Sequence, residues 1–281
     1  MNSKKYLLIL CSFFLIIFYF FWIGRQKVGR LVFFDVGQGD SSLIILPSGH
    51  KILIDGGPDD QVLSQLGIYL NFFDRKIDYL ILSHEHDDHV FGLVQVISRY
   101  QIKTIIHSSN SCLNPSCLEF FRVAKKMNIN IKTIESDKKL IFSDNCFLKI
   151  LAPENLLAKN INNRSLAFKL DCGSFKALMT GDGEFEREQE LLSSGEDLSA
   201  IVFKAGHHGS NTSNGENFLR AIQPKLAVIF VGKNNSFHHP AEKTLQTLKN
   251  LGIKFFRTDV NGNISLNFLG KSYPQISIDK E

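Results

Sequence analysis

The run His84-Glu85-His86-Asp87-Asp88-His89 consists of imidazoles and carboxylates alone, and it follows the apolar stretch Tyr79-Leu80-Ile81-Leu82 after a single serine. These are the ligand types that borderline divalent cations such as Zn²⁺ and Mn²⁺ prefer. Three histidines this close are costly to bury together without partners, so a fold carrying this run must either expose it or supply an ion. The apolar strand leading into it argues for the ion. A solvated turn with chance histidines is the bland alternative, which distal residues have to outweigh.

Short β-type runs at Leu31-Val32-Phe33-Phe34, Ser42-Leu43-Ile44-Ile45-Leu46 and Lys51-Ile52-Leu53-Ile54, separated by glycine-rich turns, predict an opening meander. Helical periodicity follows at about 60–72, 88–99, 115–127, 184–193, 214–222 and 241–251. It alternates with strands at about 78–83, 103–107, 166–170, 175–180, 200–205 and 226–231. Interleaving of this kind predicts an α/β fold in which helices cover sheets. No solenoid-length repeat or low-complexity linker interrupts it, so residues 30–281 are expected to form one domain.

Residues 1–29 differ in kind. Tyr6 to Ile23 is almost unbroken Leu, Ile, Phe, Tyr and Trp, preceded by Lys4 and Lys5 and followed by Arg25, Lys27 and Arg30. That is just long enough to span a bilayer. The aromatic crowding at Tyr19, Phe20, Phe21 and Trp22 suits an interfacial belt, and no small-x-small cleavage site follows it as a signal peptide requires. The expectation is an uncleaved N-terminal transmembrane helix on a single-pass cell-membrane protein. Basic residues on both flanks prevent the positive-inside rule from choosing an orientation. The short N-terminal tail is the easier end to leave inside, which puts the folded domain outside the cytoplasm.

The net charge of +4 is far from the excess of a protein that holds nucleic acid by phosphate neutralisation alone, though a weakly basic groove stays open. Five cysteines, at 11, 112, 117, 146 and 172, lack any C-x-x-C spacing and do not build a zinc cage by themselves. Cys112 and Cys117 flank Leu-Asn-Pro-Ser. They either close a small disulfide loop in an oxidising compartment or stay as two thiols in a surface loop.

The chemically suggestive residues fall where predicted strands end. Asp182 follows Ala177-Leu178-Met179-Thr180-Gly181, His207 and His208 follow Val202-Phe203-Lys204-Ala205-Gly206, and His238 and His239 follow Ile229-Phe230-Val231. Strand ends feeding loops are where α/β scaffolds place chemistry.

This pattern closely resembles the metallo-β-lactamase superfamily, whose H-x-H-x-D-H hallmark is met by His84, His86, Asp88 and His89. Ile52-Leu53-Ile54-Asp55-Gly56-Gly57 upstream and Met179-Thr180-Gly181-Asp182 downstream occur in that superfamily's order. Within it, the hydrolase-like domain of ComEC-type DNA-uptake (competence) proteins is most similar. Phe34-Asp35-Val36-Gly37-Gln38-Gly39-Asp40, Asn162-Asn163-Arg164-Ser165-Leu166, Lys204-Ala205-Gly206-His207-His208-Gly209-Ser210 and His238-His239-Pro240 carry that resemblance, over about residues 30 to 270.

The resemblance implies an αββα sandwich with two divalent metal ions, Zn²⁺ or Mn²⁺, along the open edge of its sheets. His84 and His86 would hold the first ion, Asp88, His89 and a histidine of the 207–208 pair the second, and Asp182 would bridge. His208 is the favoured ligand, which leaves His207 for substrate phosphate or proton transfer. Asp55, Ser83 and Asp87 are candidates to fix imidazole tautomers from behind. One departure matters. Many superfamily hydrolases place a further histidine before the bridging aspartate, yet none lies between His107 and His207. Asn162-Asn163-Arg164-Ser165 stands in its place, which weakens zinc affinity at the first ion and favours a harder metal such as Mn²⁺.

Two cations close together lower the pKa of a shared water and stabilise both the attacking and leaving oxygens of a phosphodiester. Asp88 and Asp182 would hold that geometry, and His239 or His207 would protonate the leaving oxygen. Asn163, Ser165, Ser210, Asn211 and Ser213 are candidates to receive phosphate oxygens, but each is equally explicable as an ordinary cap or turn residue. Asp35, Gln38 and Asp40 divide the same way, since Gly-x-Gly-Asp between strands is a turn in its own right.

Three functions compete. The leading one is a membrane-anchored phosphodiesterase or nuclease acting on DNA, single-stranded during uptake. The second keeps the dinuclear hydrolase but changes the substrate to a small phosphodiester, lactone, thioester or β-lactam. The third is a non-catalytic partner of a separate DNA-channel protein, and the set His84, His86, Asp88, His89, Asp182 and His208 argues against it, because a scaffold needs no converging ligands.

Overall fold

The computed structural model describes residues 12, 28–108, 112, 114–142, 145–268 and 274–280. Apart from Ser12, the apolar Tyr6 to Ile23 segment lies outside them. Among the described residues no helix is long and apolar enough to cross a membrane.

Two sheets form the centre. One contains β1 (Gly29–Phe33), β2 (Ser42–Ile45), β3 (Lys51–Ile54), β4 (Lys76–Leu82), β5 (Gln101–His107), β6 (Asn130–Thr133), β14 (Ile264–Phe268) and β15 (Gln275–Ile278), in the order β15-β14-β1-β2-β3-β4-β5-β6. The other contains β7 (Lys138–Ile141), β8 (Phe147–Leu151), β9 (Ala167–Cys172), β10 (Phe175–Met179), β11 (Val202–Lys204), β12 (Leu226–Ile229) and β13 (Lys254–Arg257), in the order β13-β12-β11-β10-β9-β8-β7. Each half opens with antiparallel hairpins and continues in parallel strands, with β3, β4, β5 and β6 parallel in one sheet and β10 to β13 in the other.

Seven helices are described: α1 (Gln61–Tyr69), α2 (Asp87–Arg99), α3 (Pro115–Lys126), α4 (Phe185–Ser193), α5 (Glu216–Ile222), α6 (Glu242–Asn250) and α7 (Thr258–Asn261). Burial explains the layering. Leu31 and Phe33 of β1 point between the sheets, where they join Phe168, Leu170, Ala177, Val228 and Phe230 of the other sheet. Val32 and Phe34 point the opposite way, against Val62 and Leu66 of α1 and Leu93 and Val96 of α2. The outer face of the second sheet is covered likewise, with Phe203, Ala227 and Ile229 packed against Leu191, Phe218, Leu219 and Leu248 of α4, α5 and α6. Strands buried on both faces read as continuous apolar runs, each large side chain contributing roughly 1.5–3 kcal/mol. The result is the expected αββα sandwich.

The strands that the sequence pattern did not mark include the largely buried β8 and β14 and the exposed β6 and β7. β6 and β7 each place at most alternate residues in partial burial, and β7 carries Lys138 and Lys139 on an unpaired edge, a charge pattern that discourages edge-to-edge association. Helix starts follow local chemistry. Asn114 caps α3 by accepting from Cys117 N at 2.7 Å with Pro115 in the first turn, and Asp87 and Asp88 occupy the first turn of α2, where carboxylates complement the helix dipole. α2 also lies very close to the loop after β3. A Cβ on Gly92 would sit 2.0 Å from Gly56 O, so glycine is required there.

Disulfides join Cys112 to Cys117 and Cys146 to Cys172. The first is the small loop considered from sequence. The second links residues beside β8 and β9, adjacent antiparallel strands that no Cys spacing advertises.

Candidate metal centre

The sheets deliver their chemical groups at one edge. Asp55 follows β3, Ser83 and His84 follow β4, Asp182 follows β10 after Thr180 and Gly181, and His207 and His208 follow β11. His86 precedes α2, and Asp88 and His89 lie in its first turn. A backbone bond from Leu166 N to Ser83 O, 3.0 Å, ties the two sheets together here. The loop after β11 is forced into a tight curl, with His207, His208 and Gly209 all at positive φ (46°, 52° and 77°). Two non-glycine residues held left-handed in succession are strained, a feature that clusters at functional sites.

His89, His208, Asp182 and Asp40 form the buried heart. One donor atom from each lies within 4.8 Å of the others. Nε2 of His89 stands 3.3 Å from Asp182 Oδ2, and Nε2 of His208 stands 3.2 Å from the same oxygen and 3.1 Å from Asp88 Oδ2. His89 Nε2 and Asp40 Oδ1 are buried and make no well-formed hydrogen bond, each only facing a charged neighbour of the cluster at 3.3 Å. Beside them Nε2 of His84 faces Nδ1 of His86 at 3.1 Å. Two nitrogens bound tetrahedrally to one Zn²⁺ stand about 3.3 Å apart, so this pair is spaced as ligands of a single ion. Converging donors of these types fit divalent cations.

The outer contacts orient these groups. Asp55 Oδ2 receives His89 Nδ1 at 2.9 Å and Ser83 Oγ at 2.7 Å, while Ser83 Oγ also lies 3.1 Å from His84 Nδ1. This fixes which nitrogen of each imidazole faces the cluster. Burial alone would raise the Asp182 carboxyl, but His208, His89 and Lys204 outweigh it and hold the group well below the ordinary carboxylate range. Burial would likewise lower His89 and His208, yet Asp182 and its neighbouring carboxylates raise both well above the usual imidazole value. A field that favours imidazolium favours a divalent cation for the same reason. His84 faces less negative charge, and burial followed by His89 pushes it well below its ordinary value.

Above this floor opens a cleft of about 470 Å³, whose walls include Gln38, Pro58, His86, Asp88, His207, Phe237 and His239. His207 is a wall residue, with Nδ1 3.2 Å from Glu184 Oε1, whereas His208 lies in the buried cluster. His239 stacks beside His208 at 6.1 Å, and burial, then the charge of His208 and His207, pushes it down to about 4.

The residues predicted to receive phosphate lie elsewhere. Ser165 is fully buried and accepts from Asp182 N at 3.1 Å. Asn163 accepts from Glu184 N at 2.9 Å and donates to Glu186 at 2.8 Å. Ser213 donates to Gly183 O at 3.0 Å, and Ser210 pairs with Thr212 at 3.0 Å. The first three brace the loop that carries Asp182, Ser210 braces its own turn, and Ser213 is not a helix cap, since Gly215 precedes α5. Asn211 sits in the turn between Ser210 and Thr212 and is exposed. Where a histidine was missed, Asn162 to Arg164 form a 3-10 turn, and Arg164 Nη1 bonds Glu85 Oε1 at 2.7 Å. This engages Glu85 Oε1 in a buried ion pair with Arg164.

Lys204 was not singled out by sequence, and Asp40 was a candidate that a turn explained equally well. Lys204 is fully buried, ion-paired to Asp40, 2.8 Å from Gly181 O and 3.4 Å from Asp182 Oδ1. The available signal was a lysine at the end of the apolar run Ile201-Val202-Phe203, where a charge needs a buried partner.

A two-sheet sandwich with imidazoles and carboxylates gathered at its open edge is the architecture of a metal-dependent hydrolase. The chain belongs to the metallo-β-lactamase superfamily, which residues 34–233 match. It is 32% identical over 257 residues to ComE operon protein 3 of Bacillus subtilis, covering 85% of this chain and 33% of that protein. Competence protein ComA of Neisseria gonorrhoeae is 30% identical, with 84% of this chain and 32% of that protein aligned. The chain thus spans about a third of the length of these relatives. A more distant similarity, 22% over 74% of this chain and 84% of the other, is to exodeoxyribonuclease WalJ of Streptococcus pneumoniae. Among solved structures, the metallo-β-lactamase fold protein YhfI of Bacillus subtilis shares the fold, with a TM-score of 0.54 and 15% identity over 81% of this chain and 95% of that one.

Proposed function

We propose that this chain is a metal-dependent phosphodiesterase that cleaves DNA during uptake, with single-stranded DNA as substrate, and that Tyr6 to Ile23 anchors it in the cell membrane. The observation that carries the reading is the convergence of Asp40, His89, Asp182 and His208 at the floor of an open cleft. DNA as substrate is supported by the similarity to competence proteins and, more distantly, to an exodeoxyribonuclease. Two disulfides support an oxidising, extracytoplasmic setting for residues 30–281. A DNA-channel protein is the proposed partner, on the similarity to competence proteins.

His84, His86, Asp88, His89, Asp182 and His208 would hold two Zn²⁺ or Mn²⁺ ions. Such ions supply an activated water and stabilise charge on the phosphoryl oxygens. The chain's own groups do the rest. Asp55 and Ser83 hold His89 and His84 in orientation, and Ser165 and Asn163 fix the Asp182 loop. His207 and His239, with ring centroids 5.5 Å apart on the cleft wall, are placed to hydrogen-bond the leaving oxygen. Phe237, stacked 5.8 Å from His239, offers a face for a base.

The full chain, supplied with Mn²⁺ or Zn²⁺, should cleave single-stranded DNA and bis(p-nitrophenyl) phosphate and leave a chromogenic β-lactam intact. Asp182→Ala and His86→Ala should abolish cleavage. A folded wild type that is inert with every divalent ion, or that opens only the β-lactam, overturns the reading.

A further inference from the structure

Three well-exposed apolar side chains lie together on one tip. Phe73 is 90% exposed, Phe72 73% and Ile68 67%. Phe72 and Phe73 sit in the link between α1 and β4, Ile68 in the last turn of α1, and basic groups accompany them. Arg75 stacks over Phe72 at 5.5 Å, Lys76 is exposed, and Lys51 pairs with Asp74 at 2.7 Å, tying the link to the start of β3. Aromatic residues beside Arg and Lys on a protruding loop have the composition of a membrane-interface contact.

Strand register fixes where this tip stands. Ile52 of β3 pairs with Tyr79 of parallel β4, and Lys51 and Arg30 both pair with Ile45 of β2. The starts of β1, β3 and β4 therefore share one end of the sheet. The other ends of β3 and β4 lead to Asp55 and His84. In the second sheet Phe175, which begins β10, stacks at 4.2 Å on Phe268, the partner of Gly29, and β10 runs from there toward Asp182. The start of β1 and the 71–75 link thus lie at the base of the sandwich, opposite the metal edge. The guanidinium of Arg30, 6.0 Å from the Tyr69 ring, joins the two directly.

The apolar segment ends at Ile23, and residues 24–28 reach at most about 18 Å even when fully extended. The start of β1 is consequently held close to wherever that segment ends. We infer that Ile68, Phe72 and Phe73 insert into the headgroup region of the same phospholipid bilayer that takes the N-terminal segment, with Arg75 and Lys76 on its phosphates. The domain then stands base-down, with its cleft facing away from the membrane. Lys225 and Lys254, exposed at the starts of β12 and β13, lie at the same end, which also carries Asp74, Asp171 and Asp197. The inference rests on the membrane-anchor reading above.

Trp22 is the only tryptophan and lies in the apolar segment, so depth can be read one site at a time. The full chain is reconstituted in vesicles of phosphatidylcholine and phosphatidylglycerol, with and without lipids brominated near the top of their acyl chains. Wild type reports on Trp22. Phe73→Trp and Phe237→Trp, each in a Trp22→Phe background, report on the base and the cleft. Bromolipid should quench the tryptophan at 73 and leave that at 237 bright. A bright tryptophan at 73 beside a quenched Trp22 overturns the base contact while the anchor stands. A bright Trp22 sinks the anchor, and then the tryptophan at 73 alone decides whether the base binds lipid. Quenching at 237 overturns the orientation.

Discussion

The ammonium of Lys204 lies 3.4 Å from Oδ1 of Asp182, while Oδ2 of the same carboxylate faces the imidazoles of His89 and His208 at 3.3 and 3.2 Å. One oxygen is neutralised from the protein side and the other is presented to the ligand cluster. Lys204 also pairs with Asp40, whose own side chain reaches His208 Nδ1 at 3.3 Å. A single buried lysine thereby sets the position of two carboxylates of the site.

Lys204→Met should leave Asp40 and Asp182 buried without that counter-charge, a loss of about 3–5 kcal/mol by the cost of breaking buried pairs. Urea unfolding should show it as a lowered midpoint at unchanged slope, and saturating Mn²⁺ should recover part of the loss. An unchanged midpoint would mean the pair contributes nothing.

Asp55→Asn should keep the fold and weaken metal. The bond from His89 Nδ1 to Asp55 Oδ2, 2.9 Å, fixes which nitrogen faces the cluster. Loss of such a support typically costs about 10–100-fold in metal affinity. Competition against a chromogenic chelator measures this directly, and equal affinity for both proteins would rule the orienting role out.

Glu188 links α4 to the loop before α5, accepting from Asn214 N at 2.5 Å and Gly215 N at 2.9 Å. Burial raises its carboxyl from 4.5 to about 7, with those two N–H groups pulling the other way. A raised folded-state pKa means that the folded chain holds the proton more tightly than the unfolded one. Its contribution to stability is therefore full below about 4.5 and falls as pH rises to about 7, by roughly 3 kcal/mol in total. Glu188→Gln should lose this slope. Parallel unfolding curves of the two proteins across that range would contradict it.

Cysteine labelling tests the disulfides. Cys112–Cys117 and Cys146–Cys172 leave Cys11 outside both bridges. Chain purified without reductant and denatured should take alkylation at Cys11 alone, read by peptide mass spectrometry. Alkylation at all five positions would place the domain in a reducing compartment.

The His84–His89 run, Asp182 and most core strands were legible in the sequence because each is a local signal. His84 to His89 carry their chemistry within six positions, and strands buried on both faces must be apolar throughout. The edge strands β6 and β7 were not legible, since half-exposed lysine-rich segments have no apolar period to detect. Ser165, Asn163 and Ser213 had the right chemistry for phosphate, but in the fold they satisfy or brace the backbone around Asp182.

By itself the sequence determined the ligand types, their order and the sheet-and-helix pattern, for these depend on neighbouring residues and their polarity. Only the tertiary structure decided that Lys204 and Asp40 belong to the site, that Glu85 pairs with Arg164, and that the aromatic tip lies opposite the metal edge. Those facts rest on contacts between residues far apart in the chain. The energy of a buried charge is set by whichever partner the fold brings within a few ångströms, and no local pattern encodes that partner.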